Sequence, residues 1–183
     1  IVFFSFFLST GTFAQFCQTW ALTSDTTQTA NSGASTTGNP EIKGSGIAPP
    51  SYTNSGGFTW QRFTSPVGNW PKVVNTANGI YLEFQVTASA GNNLVVNTIS
   101  FSSWMSNSSG SLFFNVYDGT TSTGIIGMVS SGTSVTPDNV SITGLSITVP
   151  AGSTKSIRLY ITSPALPANS TRTLHIRNMV ICG

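Results

Sequence analysis

The chain has 183 residues, of which only 7% are charged, and its formal net charge at pH 7 is +2. Average globular proteins carry about 25% charged residues, so this composition indicates an extracellular β protein or a fibre subunit rather than a cytoplasmic protein. The seven lysines and arginines are scattered and form no basic stripe for nucleic acid. The length fits one domain that can bury a sizeable core.

The chain opens on its most apolar stretch, residues 1–16, which holds half of the phenylalanines and no charged residue. Successive side chains of an extended chain point to opposite faces. Both faces are apolar in the first half of the stretch, as in a strand that is buried on both sides. The pattern predicts an extended N-terminal strand that is retained as a donor arm, with apolar side chains supplied by Val2, Phe4, Phe6, Phe7, Leu8 and Phe13.

The same stretch also fits a secretory signal peptide. Residues 1–8 would form its apolar region, and Thr12-Phe13-Ala14 resembles a cleavage site before Gln15, so that residues 1–14 would be removed. A membrane-spanning helix needs roughly 20 apolar residues, and no apolar run in the chain is that long. Both interpretations predict a secreted protein with no membrane span in its mature form.

Two cysteines, Cys17 and Cys182, lie at the two ends of the polar region. In an exported protein such a pair predicts one disulfide, although two unpaired buried thiols fit the sequence as well. The disulfide would attach the base of the arm to the last strand. The expected domain organisation is therefore an arm over residues 1–16 and a β-sandwich domain over residues 17–183.

Short segments with turn residues between them follow along the chain. Residues 18–57 look irregular, because Ser, Thr, Gly, Asn and Pro dominate them, and short strands are expected within them, for example around Thr19–Leu22. The clearest strand is 79–87, where Ile80, Leu82, Phe84 and Val86 alternate with polar residues and Tyr81. Further strands are expected at 58–63, 94–102, 112–117, 125–129, 140–142, 145–149, 156–162 and 173–181, with turns at Asp118-Gly119 and Thr143-Gly144.

No segment has a helical period over ten residues. Eight or nine short strands with regular turn signals predict an all-β fold, an antiparallel β-sandwich or jelly roll with an extended N-terminal apolar strand. The segments 79–87, 94–101, 149–152 and 157–160, with a final strand at 174–181, resemble secreted bacterial β-sandwich modules. Many of these modules are appended to polysaccharide-degrading enzymes, so the resemblance implies carbohydrate binding. An apolar N-terminal strand before a β-sandwich also resembles the layout of donor-strand, pilin-like filament subunits.

Residues for catalysis are sparse. The chain has five carboxylates and one histidine, His175, which is expected to be a surface hydrogen-bonding residue. No Gly-x-Ser-x-Gly elbow accompanies the many serines, and one histidine with two distant cysteines does not make a zinc site. We therefore expect no enzymatic activity, no metal and no cofactor.

Two sets of side chains are candidates for glycan chemistry. Trp60, Trp70 and Trp104 would stack on sugar rings if their faces were exposed, although large aromatic residues also fill the cores of sandwiches. Three sequons begin at Asn107, Asn139 and Asn169 and would accept N-linked glycans.

The sequence thus predicts the structural subunit of an extracellular, cell-surface filament. Its arm would enter the β-sandwich of an identical subunit, and this head-to-tail contact would propagate as a homopolymer. The alternative is a secreted carbohydrate-binding β-sandwich module from which residues 1–14 are cleaved as a signal peptide.

Overall fold

A computed structural model of the chain describes residues 15–35, 39–64, 70–106, 111–129, 133–164 and 172–183. Within these ranges the only helical element is a 3-10 turn at Thr76–Asn78, and all strand pairs are antiparallel, which confirms the predicted all-β class. The strands are β1 (Phe16–Trp20), β2 (Ala30–Gly33), β3 (Ile42–Lys43), β4 (Ser51–Ser55), β5 (Phe58–Thr64), β6 (Tyr81–Thr87), β7 (Leu94–Val96), β8 (Thr98–Met105), β9 (Leu112–Tyr117), β10 (Ser122–Val129), β11 (Asp138–Ile142), β12 (Ile147–Val149), β13 (Thr154–Thr162) and β14 (Thr173–Cys182).

The first sheet is organised around the long C-terminal strand β14. On one side β14 pairs with β8, which pairs with β11. On its other side, the N-terminal half of β14 pairs with β5, and its C-terminal half pairs with β1. The hairpin partner β4 extends the sheet beyond β5, and β2 extends it beyond β1.

A local irregularity divides β14 into these two halves. The register with β8 shifts between Arg177 and Val180, and Asn178 between them adopts a left-handed conformation with φ 52°. Asn tolerates this conformation better than most residues. The Asn178 N–H donates to the Ala21 carbonyl at 2.9 Å. The bend lets β1 and β5 share one edge of the same strand.

The second sheet has the order β10–β9–β13–β6–β3, and a small separate ladder joins β7 to β12. The two large sheets pack face to face over an aromatic core. Trp20 of the first sheet contacts Phe84 of the second at a ring-centroid distance of 5.1 Å, and Phe101 contacts Phe114 at 4.9 Å. These contacts fill the space between two stacked sheets, so the fold is a β-sandwich.

The predicted strands from residue 79 onward agree with the structure except at one place. The expected strand at 94–102 is divided at Asn97, because β7 pairs with β12 while β8 joins the first sheet. The expected turn at Thr143-Gly144 lies between β11 and β12, and Gly144 has φ 76°. The turn moves the chain from the first sheet to the small ladder.

Most of the described residues of 18–57 lie outside strands, as predicted, and the strands among them are short. This region contains most of β1 together with β2, β3 and β4. All four residues of β2 are exposed, so the strand has no apolar alternation that a sequence pattern could show. Backbone pairing to β1 holds it in place.

The predicted disulfide between Cys17 and Cys182 is present. The flanking residues Phe16 and Gly183 donate hydrogen bonds to each other's carbonyl groups, at 2.9 and 3.1 Å. Cys17 and Cys182 therefore form the next, non-hydrogen-bonded pair of the ladder, where side chains lie closest. Their Cα atoms are 4.2 Å apart.

Candidate functional site

Apart from the two disulfide cysteines, the predicted site residues fall into three groups: the arm residues, the sequon asparagines and the tryptophans. The arm residues Val2, Phe4, Phe6, Phe7, Leu8 and Phe13 and the sequon residues Asn107 and Asn169 lie outside the described residues. The remaining sequon residue, Asn139, is exposed on β11. Its side-chain oxygen accepts a hydrogen bond from the Ser102 hydroxyl at 3.0 Å. The three tryptophans are all described.

Two of these tryptophans cannot act as sugar platforms. Trp60 has no exposed surface and Trp70 is 4% exposed. The Trp60 indole N–H donates to the Ser55 carbonyl at 3.0 Å, and the Trp70 indole N–H donates to the Arg172 carbonyl at 3.1 Å. Trp60 and Trp70 therefore follow the alternative that large aromatic residues are packed within the sandwich, and the exposed ring faces that sugar stacking requires are absent from both. Trp104 remains half-buried.

His175 was expected to be a surface hydrogen-bonding residue, and the expected surface position was wrong. It is 4% exposed, and its ring stacks on that of Trp104 with 3.7 Å between centroids and 7° between planes. The register explains the contact, because His175 of β14 lies opposite Trp104 of β8 on one side and Arg62 of β5 on the other. The side chain is thus enclosed on the outer face of the first sheet.

An aromatic and cationic cluster covers this part of the outer face. The Arg177 guanidinium lies 3.7 Å from the ring centre of Phe58 and 4.6 Å from that of Trp60. Trp60 in turn meets Trp104 edge to face at 6.3 Å. We call Phe58, Trp60, Trp104, His175 and Arg177 the outer-face cluster. Cation–π and aromatic contacts of this kind hold side chains rigidly on a surface.

A pocket of about 260 Å³ opens beside the outer-face cluster, and we call it the outer-face pocket. Trp104 and His175 belong to its wall, Arg62 and Ser106 add a cation and a hydroxyl, and the end of β4 contributes Asn54 and its neighbours. None of the side chains that line it is acidic. The pocket is therefore aromatic on one side, polar on the other, and positively charged at Arg62.

Polar atoms of the outer-face cluster lack hydrogen-bond partners. The indole nitrogen of Trp104, Nδ1 of His175 and Nε of Arg177 are buried and unpaired among the described residues. An unsatisfied buried polar group costs about 1–3 kcal/mol.

Burial keeps the His175 imidazole neutral. Removal from water, and to a lesser degree the positive charge of Arg62, lowers the pKa of His175 from 6.5 to about 4. At neutral pH the ring therefore has one donor and one acceptor nitrogen. The permanent charge of the pocket is that of Arg62.

The outer face of the second sheet carries a different aromatic group. Tyr160 contacts Tyr81 at 5.1 Å and Tyr117 at 4.6 Å. The only cation in that group, Arg158, donates from Nε to the Glu83 carboxylate at 2.6 Å and lies over the Tyr81 ring. The charges of this face are paired, so it offers a ligand less than the outer-face pocket does.

The edge of the second sheet at β10 is a second exposed feature. Ile126 is 55% exposed and Met128 is 51% exposed. Between them, Gly127 faces inward, where an added Cβ would lie 2.6 Å from the Ile142 side chain. Among the described residues β10 pairs only with β9, so its other edge has free backbone groups.

The described residues contain no group of three or more His, Cys, Asp or Glu side chains that could hold a metal ion. In the same part of the chain, no helix is long and apolar enough to cross a membrane. No protein-family model matches the chain, and no curated protein matches it.

The sequence contains a signal for part of the outer-face pocket that none of the predictions used. Phe58, Trp60 and Arg62 are spaced two residues apart, as are His175 and Arg177. Residues with this spacing share one face of a strand. The sequence therefore indicates that each of the two strands carries aromatic and cationic residues on one face. It does not indicate that the two strands are neighbours in the sheet.

Proposed function

We propose that this chain is an extracellular carbohydrate-binding β-sandwich module, and that the outer-face pocket is its binding site. The observation that carries the proposal is the aromatic wall at Trp104 and His175 facing hydroxyl and amide side chains, those of Thr53, Asn54 and Ser106, in one pocket. Sugars have apolar C–H faces and dense hydroxyl groups, so their recognition needs both kinds of surface.

The dimensions of the pocket support a small ligand or one unit of a chain. Ligand cavities usually enclose about 300–1,000 Å³, and the outer-face pocket of about 260 Å³ lies just below that range. A single sugar ring or a side branch fits this size better than several consecutive units do. Rigid packing of Trp104 against His175 and Trp60 prepares the aromatic wall before binding, which limits the entropy lost on association.

Trp104→Phe is expected to weaken glycan binding about tenfold, because phenylalanine keeps a ring against His175 but presents a smaller aromatic surface to the pocket. Affinity is measured by calorimetry against a panel of soluble polysaccharides, with thermal unfolding as a check on the fold. Tyr117→Phe on the outer face of the second sheet is the matched control and should bind like the unmodified protein. Equal affinities of the Trp104 variant and the unmodified protein would contradict the proposal.

A second candidate function is the filament subunit, and the β10 edge favours it. An edge strand with free backbone groups and exposed apolar side chains is a template for pairing with another chain. β10 meets this description, because Ile126 and Met128 are exposed on it. The apolar residues of 1–14 have the composition of a strand that would pair with this edge. Because the described sandwich fills its own core, the arm would extend an edge rather than complete a missing core strand.

Deleting residues 1–14 separates the two candidates. If the chain is a filament subunit, the exported protein retains residues 1–14 by intact mass, forms fibres in electron micrographs, and becomes a folded monomer after the deletion. Met128→Lys at the β10 edge should also prevent fibres, since a charge on an edge strand opposes pairing. Fibres that persist after the deletion would exclude the arm as the donor, and a mature N-terminus at Gln15 would favour the binding module.

A further inference from the structure

We infer that the outer-face pocket selects sugars that carry a carboxylate, the uronic acid class, and that Arg62 contacts this carboxylate. The inference rests on the proposed carbohydrate-binding function and assigns its ligand class. Arg62 is exposed on β5 and lines the pocket beside Trp104 and His175.

The charge of Arg62 is not neutralised within the protein. The two ion pairs among the described residues join Lys155 to Asp118 and Arg158 to Glu83, and neither involves Arg62. All five carboxylate side chains lie in the described part of the chain, and none lines the pocket. A cation without a counter-ion in a cavity attracts an anionic ligand.

The residues around Arg62 offer no competing charge. Its cross-strand neighbours are His175 on β14 and Ser51 on β4. The low pKa of His175 keeps that ring neutral at pH 7, and the Arg177 guanidinium is held between Phe58 and Trp60. The pocket therefore presents one available positive charge.

A single guanidinium surrounded by hydroxyl and amide groups matches one carboxylate on a sugar. Arginine binds a planar carboxylate through two parallel hydrogen bonds, which gives both strength and orientation. The hydroxyl of Ser106 and the amide of Asn54 lie in the same pocket wall and suit the sugar hydroxyl groups. A nucleic acid would require a row of cations along its backbone, which the outer-face pocket does not provide.

The test compares a polyuronate with the same polymer after methyl esterification of its carboxylates. The two polymers share sugar and linkage and differ in charge. We expect the unmodified protein to bind the polyuronate at least tenfold more tightly than the ester. Arg62→Gln should remove this preference and bind both polymers equally, while Arg62→Lys should keep part of it, because lysine retains the charge but loses the two-pronged contact.

Lys72→Gln is the matched control, since it removes one positive charge from an exposed residue outside the pocket. It should keep the full preference for the polyuronate. Equal binding of polyuronate and ester by the unmodified protein, or the same loss in the Lys72 and Arg62 variants, would overturn the inference. If only neutral glycans bind, and binding depends on Trp104, the inference fails while the proposed function stands. If no glycan binds, both fail.

Discussion

Replacing both cysteines, Cys17→Ser with Cys182→Ser, is expected to lower the free energy of unfolding by about 5 kcal/mol. The disulfide joins residues separated by 165 positions, and the chain-entropy model assigns about 5 kcal/mol to a closed loop of that length. Few single contacts in a domain of this size contribute as much, because total stabilities are usually about 5–15 kcal/mol. The disulfide therefore supplies a large fraction of the stability of the sandwich.

The position of the disulfide makes this loss measurable without destroying the core. Cys17 and Cys182 lie on the outer face of the first sheet and are half-buried, while Phe16 and Ile181 beside them point into the core. Serine at both positions leaves those core contacts intact. Urea unfolding monitored by tryptophan fluorescence gives the free energy of unfolding for the oxidised protein, the reduced protein and the double variant.

The reduced unmodified protein and the double variant should unfold at the same urea concentration, since neither has the cross-link. A reducing agent should have no effect on the double variant, which makes this variant its own control. A loss below about 1 kcal/mol would contradict the chain-entropy account. It would mean that pairing of β1 with β14 already holds the termini together in the unfolded ensemble.

The fold class could be predicted because the alternating apolar residues of the central strands are the residues that are buried in the structure. In β6 the apolar residues Leu82, Phe84 and Val86 are all buried, as their spacing indicates. The edge strands carry no such pattern. β2 is polar and exposed, and β4 is mostly polar and has no buried residue, so their positions depend on backbone hydrogen bonds to a neighbouring strand, which nearly every residue type can form.

The candidate site could be predicted only in part. The outward row of Phe58, Trp60 and Arg62 follows from the two-residue period of a strand. Its position beside His175 follows from the pairing of β5 with β14, which joins segments more than a hundred residues apart. Trp60 is buried on an outer face because Phe58 and Arg177 cover it, and such coverage depends on long-range pairing that one sequence does not reveal.

The second large effect is expected at Glu41, where Glu41→Gln should change how stability depends on pH. Glu41 is 5% exposed, and its Oε2 accepts a hydrogen bond from Gln61 at 2.6 Å, which links the β3 side of the sandwich to β5. Burial raises the pKa of Glu41 from 4.5 to about 7, and the hydrogen bond from Gln61 opposes this only partly. The folded protein thus holds a proton that the unfolded chain releases at lower pH.

The sign of the effect follows from proton linkage. A carboxyl with a raised pKa in the folded state stabilises the fold below its unfolded pKa, and this contribution is lost as the pH rises through 7. Between pH 5 and 8 the loss from Glu41 amounts to roughly 2 to 3 kcal/mol. His175 acts in the opposite direction, because its pKa is lowered to about 4 in the folded state, and its contribution grows by roughly 2 kcal/mol as the pH rises from 5 to 8.

The unmodified protein should therefore show nearly constant stability from pH 5 to 8, because the two contributions cancel. The free energy of unfolding of Glu41→Gln should increase by roughly 2 kcal/mol as the pH rises from 5 to 8, since only the His175 contribution remains. The free energy of unfolding of His175→Gln should decrease by a similar amount over the same rise in pH. That of the double variant should again be nearly constant. Urea unfolding at intervals of one pH unit measures these slopes.

The chosen range avoids two carboxylates whose pKa is lowered, Asp118 and Asp25. The hydrogen bond from the Thr121 backbone is the largest cause that lowers the pKa of Asp118 to about 2, and the pKa of Asp25 is lowered chiefly by its hydrogen bond with the Thr27 side chain. Their contributions to stability change only as the pH falls toward 4 and below. Equal slopes for Glu41→Gln and the unmodified protein would mean that Glu41 is already ionised in the folded state at pH 5. Opposite slopes in the two single variants would show that burial keeps both groups neutral in the folded protein, Glu41 by holding its proton and His175 by releasing one.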